Sequence, residues 1–104
     1  KFLNVESLNR IGSDFKNIVP HIYPIMINKE IDRDKLRANL AEKNIQTGIH
    51  YFPNHLLEFF NTSESESLQL SEEIYTRLIS LPLHPDLSSS EVEYVAENLL
   101  EHLN

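Results

Sequence analysis

Hydrophobic and polar positions fall into short blocks along this chain, each with its own period. Residues 18–27 read IVPHIYPIMI, dense in β-branched and aromatic side chains but interrupted by Pro20 and Pro24, which have no N–H to give to a ladder. The pattern predicts a strand over 21–28 of the kind an edge tolerates. Asp32 then precedes Leu36 and Leu40 at i,i+4, with Ile31 as a staple partner, so a helix is expected over 33–43. Asn44, a residue that accepts the left-handed conformation, ends it. Residues 45–51, IQTGIHY, place apolar side chains at 45, 49 and 51 and predict a second strand, with Gly48 where a bulge or a close backbone approach is permitted.

The polar run 61–67, NTSESES, reads as an exposed loop. After it, LQLSEEIYTRLI puts Leu70, Ile74, Tyr75 and Leu78 on one helical face. Residues 80–85, SLPLHP, predict a third strand that two prolines keep short or at an edge. Ser88 and Glu91 have the spacing of a capping box, and Val92, Val95, Ala96, Leu99, Leu100 and Leu103 mark the apolar stripe of a terminal helix. Residues 1–17 read as an N-terminal linker segment, and 18–104 as one β-α-β-α-β-α domain. The fold class expected is therefore α/β (α+β), a small three-stranded sheet with helices packed on one face.

Composition narrows the functional classes. The chain has 104 residues, with 40% hydrophobic and 24% charged, an ordinary globular mix long enough for one thin core. Its apolar runs are too short to cross a bilayer, so no membrane partner is expected. Sixteen acidic against nine scattered basic residues give a formal charge of -7, which disfavours nucleic acid as a partner. The absence of cysteine excludes disulfides, thiolate nucleophiles and sulfur-ligated zinc. Lys1-Phe2-Leu3-Asn4-Val5 has no apolar leader core and no initiator Met, so the expectation is a cytoplasmic sequence cut from a longer one.

Three segments together carry a resemblance: HIYPIMI, then DRDKLRANLAEKNIQTGIHYFPNH, then LISLPLHPDLSSSEVEYVAENL. In order and spacing they resemble the C-terminal small domain of the DegT-type sugar aminotransferases over residues 18–103. Asn44 stands where that family usually carries Gly, and Phe52 separates Tyr51 from Pro53 where many members go straight to Pro. The resemblance implies the small domain of the aspartate-aminotransferase fold. It also implies a pyridoxal phosphate enzyme that moves an amino group from an amino acid such as glutamate onto a nucleotide-linked keto sugar, acting as a homodimer. The five lysines lie in polar or terminal contexts and the two isolated glycines form no phosphate loop, so the cofactor is expected to be held mainly by an N-terminal domain outside this chain. Without the Schiff-base lysine, the chain alone is expected to be inactive.

The same resemblance implies that His50, Tyr51 and His55 face the cofactor cleft or the subunit interface and position the substrate, with His84 a further substrate-binding candidate. No catalytic residue and no metal ligand set is assigned. A metal on His50 and His55 with His21 or His84 lacks a specific zinc spacing. Ser80, His84 and Asp86 lack a nucleophile elbow. Arg77 is expected to be a solvated surface arginine. The bland alternative makes Tyr51 and Phe52 core or hinge residues and His50 a satisfied strand-end histidine. The competing function is a free-standing, non-enzymatic acidic interaction module with the same fold.

Overall fold

The computed structural model describes residues 8–11, 14, 16–60 and 68–103. Three strands form one antiparallel sheet: β1 (Leu8–Arg10), β2 (Tyr23–Ile27) and β3 (Leu78–Leu81), in that spatial order. Three helices accompany it: α1 (Arg33–Glu42), α2 (Gln69–Arg77) and α3 (Ser89–Leu103), with a 3-10 turn at Asn54–Leu56. The α/β architecture expected from the sequence is the one observed, although the three strands are not all the expected ones. The loop expected at 61–67 lies outside the described residues.

Pairing across the sheet sets Leu8 opposite Ile27, and Ile25 opposite Ile79. Because side chains alternate along a strand, Ile25, Ile27, Ile79 and Leu81 share one face. Leu36 and Leu40 of α1 and Leu99 and Leu103 of α3 pack with that face into a single buried cluster, joined by Leu8 and Ile45. These are the i,i+4 positions of the two helices, so the apolar stripes read from the sequence are the buried ones. In contrast, α2 contributes no buried side chain.

The starts of α1 and α3 follow their sequence signals. The Asp32 carboxylate accepts hydrogen bonds from the Asp34 and Lys35 amides. The Ser88 amide donates to Glu91 Oε2 at 2.8 Å and the Glu91 amide to Ser88 Oγ at 3.3 Å, a reciprocal box. Asn44 adopts φ 59°, the left-handed conformation expected after α1.

Three expectations are corrected. Within the stretch read as a linker, Leu8–Arg10 forms an edge strand and Leu8 enters the core. The strand expected over 45–51 shrinks to one bridge, Gly48 with Ser80. Continuing that antiparallel register would set Gln46 opposite Pro82, which has no N–H, and the Thr47 carbonyl is taken instead by Arg37 at 3.2 Å. Finally, the helix expected to run to Ile79 stops at Arg77, where Leu78–Leu81 pairs with β2 without an intervening loop. Sheet pairing of Leu78 and Ile79 outweighs the helical period of Leu70, Ile74 and Leu78.

Pro24 sits in the central strand of the three, not on an edge. The amide and carbonyl of Ser80 are both engaged by Gly48, at 2.8 and 2.9 Å, and therefore point away from β2. Pro24 faces Ser80 in the register, a non-hydrogen-bonded pair, so its missing N–H removes no bond between β2 and β3.

Candidate functional site

The chain from Lys43 to His50 forms one wall of an open cleft of about 800 Å³, the end of β3 with Pro82–His84 forms a second, and the first turns of α3 form a third. Local features fix each wall. Asn44 reverses the chain after α1, and Ile45 is then buried, its amide donating to the Leu40 carbonyl at 2.9 Å. Arg37 donates from Nε to Thr47 Oγ1 at 3.1 Å as well as to the Thr47 carbonyl. The Tyr94 hydroxyl donates to the Lys43 carbonyl at 3.2 Å and ties α3 to the end of α1.

His50 projects from this wall with Nδ1 at 2.8 Å from Oγ of the buried Ser80. Its ring meets Tyr51 edge-on at 4.7 Å between centroids, and the His50–Tyr51 peptide bond is cis. Gly48 lies directly beneath the ring: a Cβ there would come within 2.7 Å of His50 Cε1 and 3.3 Å of Nδ1. Close approach is therefore the reason for glycine here, and no left-handed backbone is involved. Gly48→Ala is expected to drive the ring off Ser80 and to destabilise the fold by about 1 kcal/mol, the worth of the one net hydrogen bond lost, because the clashing atoms are the tip of a rotatable side chain. Denaturant unfolding with an NMR readout of the His50 ring checks both effects.

His84 and His21 line the same cleft. Near His84, Glu91 is held below the usual carboxylate range, chiefly by the Ser88 hydroxyl and then by the Ser88 amide, with a smaller Coulombic contribution from His84. A carboxyl whose folded pKa is depressed stabilises the fold above its unfolded value and loses that contribution as pH falls through the folded one. The stability advantage of the wild type over Glu91→Ala should thus shrink as pH is lowered from neutrality through the carboxylate range, in urea melts at stepped pH.

Of the four sequence candidates, His50 and His84 are brought to one cleft, whereas Tyr51 and His55 do not line it. Tyr51 is exposed beside the His50 ring. His55 belongs to the 3-10 turn, where Nε2 lies 3.0 Å from Glu72 Oε1 of α2. Sequence reasoning missed Ser80 as the partner of His50, since their separation of 30 residues leaves no local signal. Arg77, expected to be solvated, is corrected: Nε donates to the Ile27 carbonyl at 2.8 Å, closing the end of β2. Arg33 likewise donates to the Tyr75 carbonyl at 2.6 Å and stacks over the Tyr75 ring at 4.9 Å.

Lys16, Lys29, Lys35 and Lys43 are all exposed, and the cleft carboxylate Glu91 is engaged by Ser88. Among the described residues there is no group of three or more His, Asp or Glu able to hold a metal ion, and no helix long and apolar enough to cross a membrane.

A sugar-nucleotide transaminase of Aneurinibacillus thermoaerophilus, dTDP-3-amino-3,6-dideoxy-alpha-D-galactopyranose transaminase, is 37% identical over 78 residues, which are 74% of this chain and 22% of that protein. The crystal structure of the aminotransferase TlmJ from Streptoalloteichus hindustanus superimposes with a TM-score of 0.78 over 95% of this chain and 27% of its own, at 24% identity. NtdA from Bacillus subtilis, solved with bound cofactor PMP, gives a TM-score of 0.70 at 25% identity over 80% of this chain and 20% of its own. The chain thus spans between a fifth and just over a quarter of the length of these relatives. With the profile of the DegT/DnrJ/EryC1/StrS aminotransferases matching residues 4–100, the three-stranded domain and its His50 cleft belong to a member of that family.

Proposed function

We propose that this chain is the small domain of a pyridoxal-phosphate-dependent sugar aminotransferase. In this reading the whole enzyme transfers an amino group from an amino acid such as glutamate to a nucleotide-linked keto sugar, works in the cytoplasm as a homodimer, and uses this domain to close the active site over the sugar. The observation that carries the reading is the family match across residues 4–100. The cleft adds to it, because His50 is held at its rim by Ser80 and His84 lies along the same surface.

The cofactor would supply an electron sink for the amino-transfer chemistry, bound mainly by residues outside this chain. This chain's own residues bind and orient. His50 offers a ring nitrogen to an oxygen of the sugar or its phosphate, Tyr51 brings a hydroxyl beside it, and His84 approaches from the β3 side. Holding the sugar in one orientation lowers the entropic part of the barrier without covalent participation. His55, tied to Glu72, keeps the 3-10 turn against α2 and thereby supports the segment that follows Tyr51.

The test is transamination by the full-length polypeptide that this reading implies, with glutamate as donor and a panel of nucleotide-linked keto sugars, the aminated product being detected by mass. Formation of the amino sugar is expected with at least one acceptor. Absence of product with every acceptor, from folded and cofactor-loaded protein, would favour the acidic interaction module instead.

A further inference from the structure

We infer that Ser80 is a positioning residue: its hydroxyl holds His50 in the Nε2–H tautomer, so that the ring presents a neutral N–H donor to an acceptor oxygen in the cleft. This deepens the reading of the cleft as a sugar site and rests on it for the nature of the ligand, a hydroxyl or phosphate oxygen. The tautomer itself stands independently of that reading.

Hydrogen-bond satisfaction selects the tautomer. Ser80 is buried, and its Oγ lies 2.8 Å from His50 Nδ1. Among the described residues no other acceptor takes the Ser80 hydroxyl proton, and no buried side-chain polar atom is left without a partner. Two assignments of the shared proton are possible. If Nδ1–H donated to Oγ, the hydroxyl proton of this mostly buried residue would have no acceptor among the described residues. If the hydroxyl donates to Nδ1, every buried donor is used, and the orphan is only a second lone pair on oxygen, which is tolerated far better. A neutral ring that accepts at Nδ1 carries its proton on Nε2.

Backbone geometry makes Ser80 a stiff anchor for this bond. Its amide and carbonyl both pair with Gly48, two residues before His50, at 2.8 and 2.9 Å. Gly48 admits the ring against its backbone with no room for a Cβ. The ring is thus fixed on one edge by the hydroxyl and on one face by the glycine. Nε2 has no partner among the described residues, and His50 lines the cleft. A neutral donor at that point selects an oxygen that accepts, and while the ring stays neutral Nε2 carries no free lone pair with which to take a proton.

The experiment is a long-range proton–nitrogen correlation spectrum of the imidazole rings in the 104-residue chain, at a pH that keeps His50 neutral. His50 is assigned by its loss in His50→Gln, and the wild type is compared with Ser80→Ala and Ser80→Thr. The wild type should show a protonated Nε2 and an Nδ1 that accepts a hydrogen bond. In Ser80→Ala the preference for Nε2–H over Nδ1–H should fall roughly fivefold, the effect of one net hydrogen bond, with Ser80→Thr restoring it. Unchanged methyl signals from Ile79 and Leu81 establish that the variants are folded. A protonated Nδ1 in the wild type overturns the inference, and so does a tautomer ratio that Ser80→Ala leaves unaltered. Neither result bears on whether the full-length polypeptide transaminates sugars, so the two readings fail separately.

Discussion

Replacing Leu99 with alanine will lower the unfolding free energy by about 2–5 kcal/mol, the range for truncating a buried leucine whose surroundings cannot collapse around the gap. Leu99 is fully buried on α3 and packs in one cluster with Leu36, Leu40, Ile25 and Ile79, so the cavity would open where α1, α3 and the sheet meet. Domains of this size carry about 5–15 kcal/mol in total, which makes the loss a large share of the whole. Val92 on the same helix is about half exposed, and Val92→Ala should change stability by no more than about 0.5 kcal/mol. Urea unfolding of both variants, at unchanged slope, reads the difference as a shift in midpoint. Equal effects at 92 and 99 would mean that α3 does not pack through the face that carries Ala96, Leu99 and Leu103.

On the proposed function, His50→Ala is expected to lower kcat/KM of the full-length protein roughly ten- to a hundredfold, the kinetic equivalent of losing a hydrogen bond to a charged or strongly polar group of the substrate. If His50 holds the sugar equally in the ground and transition states, the loss falls on KM; if its bond tightens as amino transfer proceeds, it falls on kcat. Tyr51→Phe should have the smaller effect, because the Tyr51 ring is exposed beside His50 and does not line the cleft. His50→Ala also leaves the Ser80 hydroxyl without its partner, so thermal melts of that variant must accompany the kinetics. Unchanged kinetics in a folded His50→Ala protein would return the GIHYFPNH stretch to a structural role.

Much of the helical half of the fold was legible because its signals are local. Asp32, Asn44 and the Ser88–Glu91 box each act within four residues, and all three behave as their side-chain chemistry dictates. The strands were less legible. Leu8–Arg10 is three residues long and gains its identity from Ile25–Ile27, well down the chain. Residues 45–51 alternate like a strand, yet Pro82 and Arg37 remove the partners a ladder needs. Arg77 was misread for a related reason: it serves a backbone carbonyl 50 residues away, as Arg33 serves one 42 residues away, and carbonyls leave no mark in a sequence.

At the site, the distributed family pattern pointed to the stretch around His50, and the geometry sets His50 and His84 along one cleft and Tyr51 and His55 outside its lining. Gly48 was legible as a place of close approach, and the group that approaches is the ring of His50. What the residue order could not reveal was the pairing of His50 with Ser80, because the Ser-Leu-Pro-Leu-His spacing draws attention to His84 instead. His84 lines the cleft with a minor Coulombic influence on Glu91, and it is His50 that takes the serine hydroxyl.

The most direct test of the central claim is a crystal structure of the full-length protein with a nucleotide-linked sugar bound. The sugar or its phosphate is expected in the cleft between residues 43–50 and 80–84, with an oxygen within hydrogen-bonding distance of His50 Nε2. A ligand bound elsewhere, with His50 and His84 turned against protein or solvent, would contradict it.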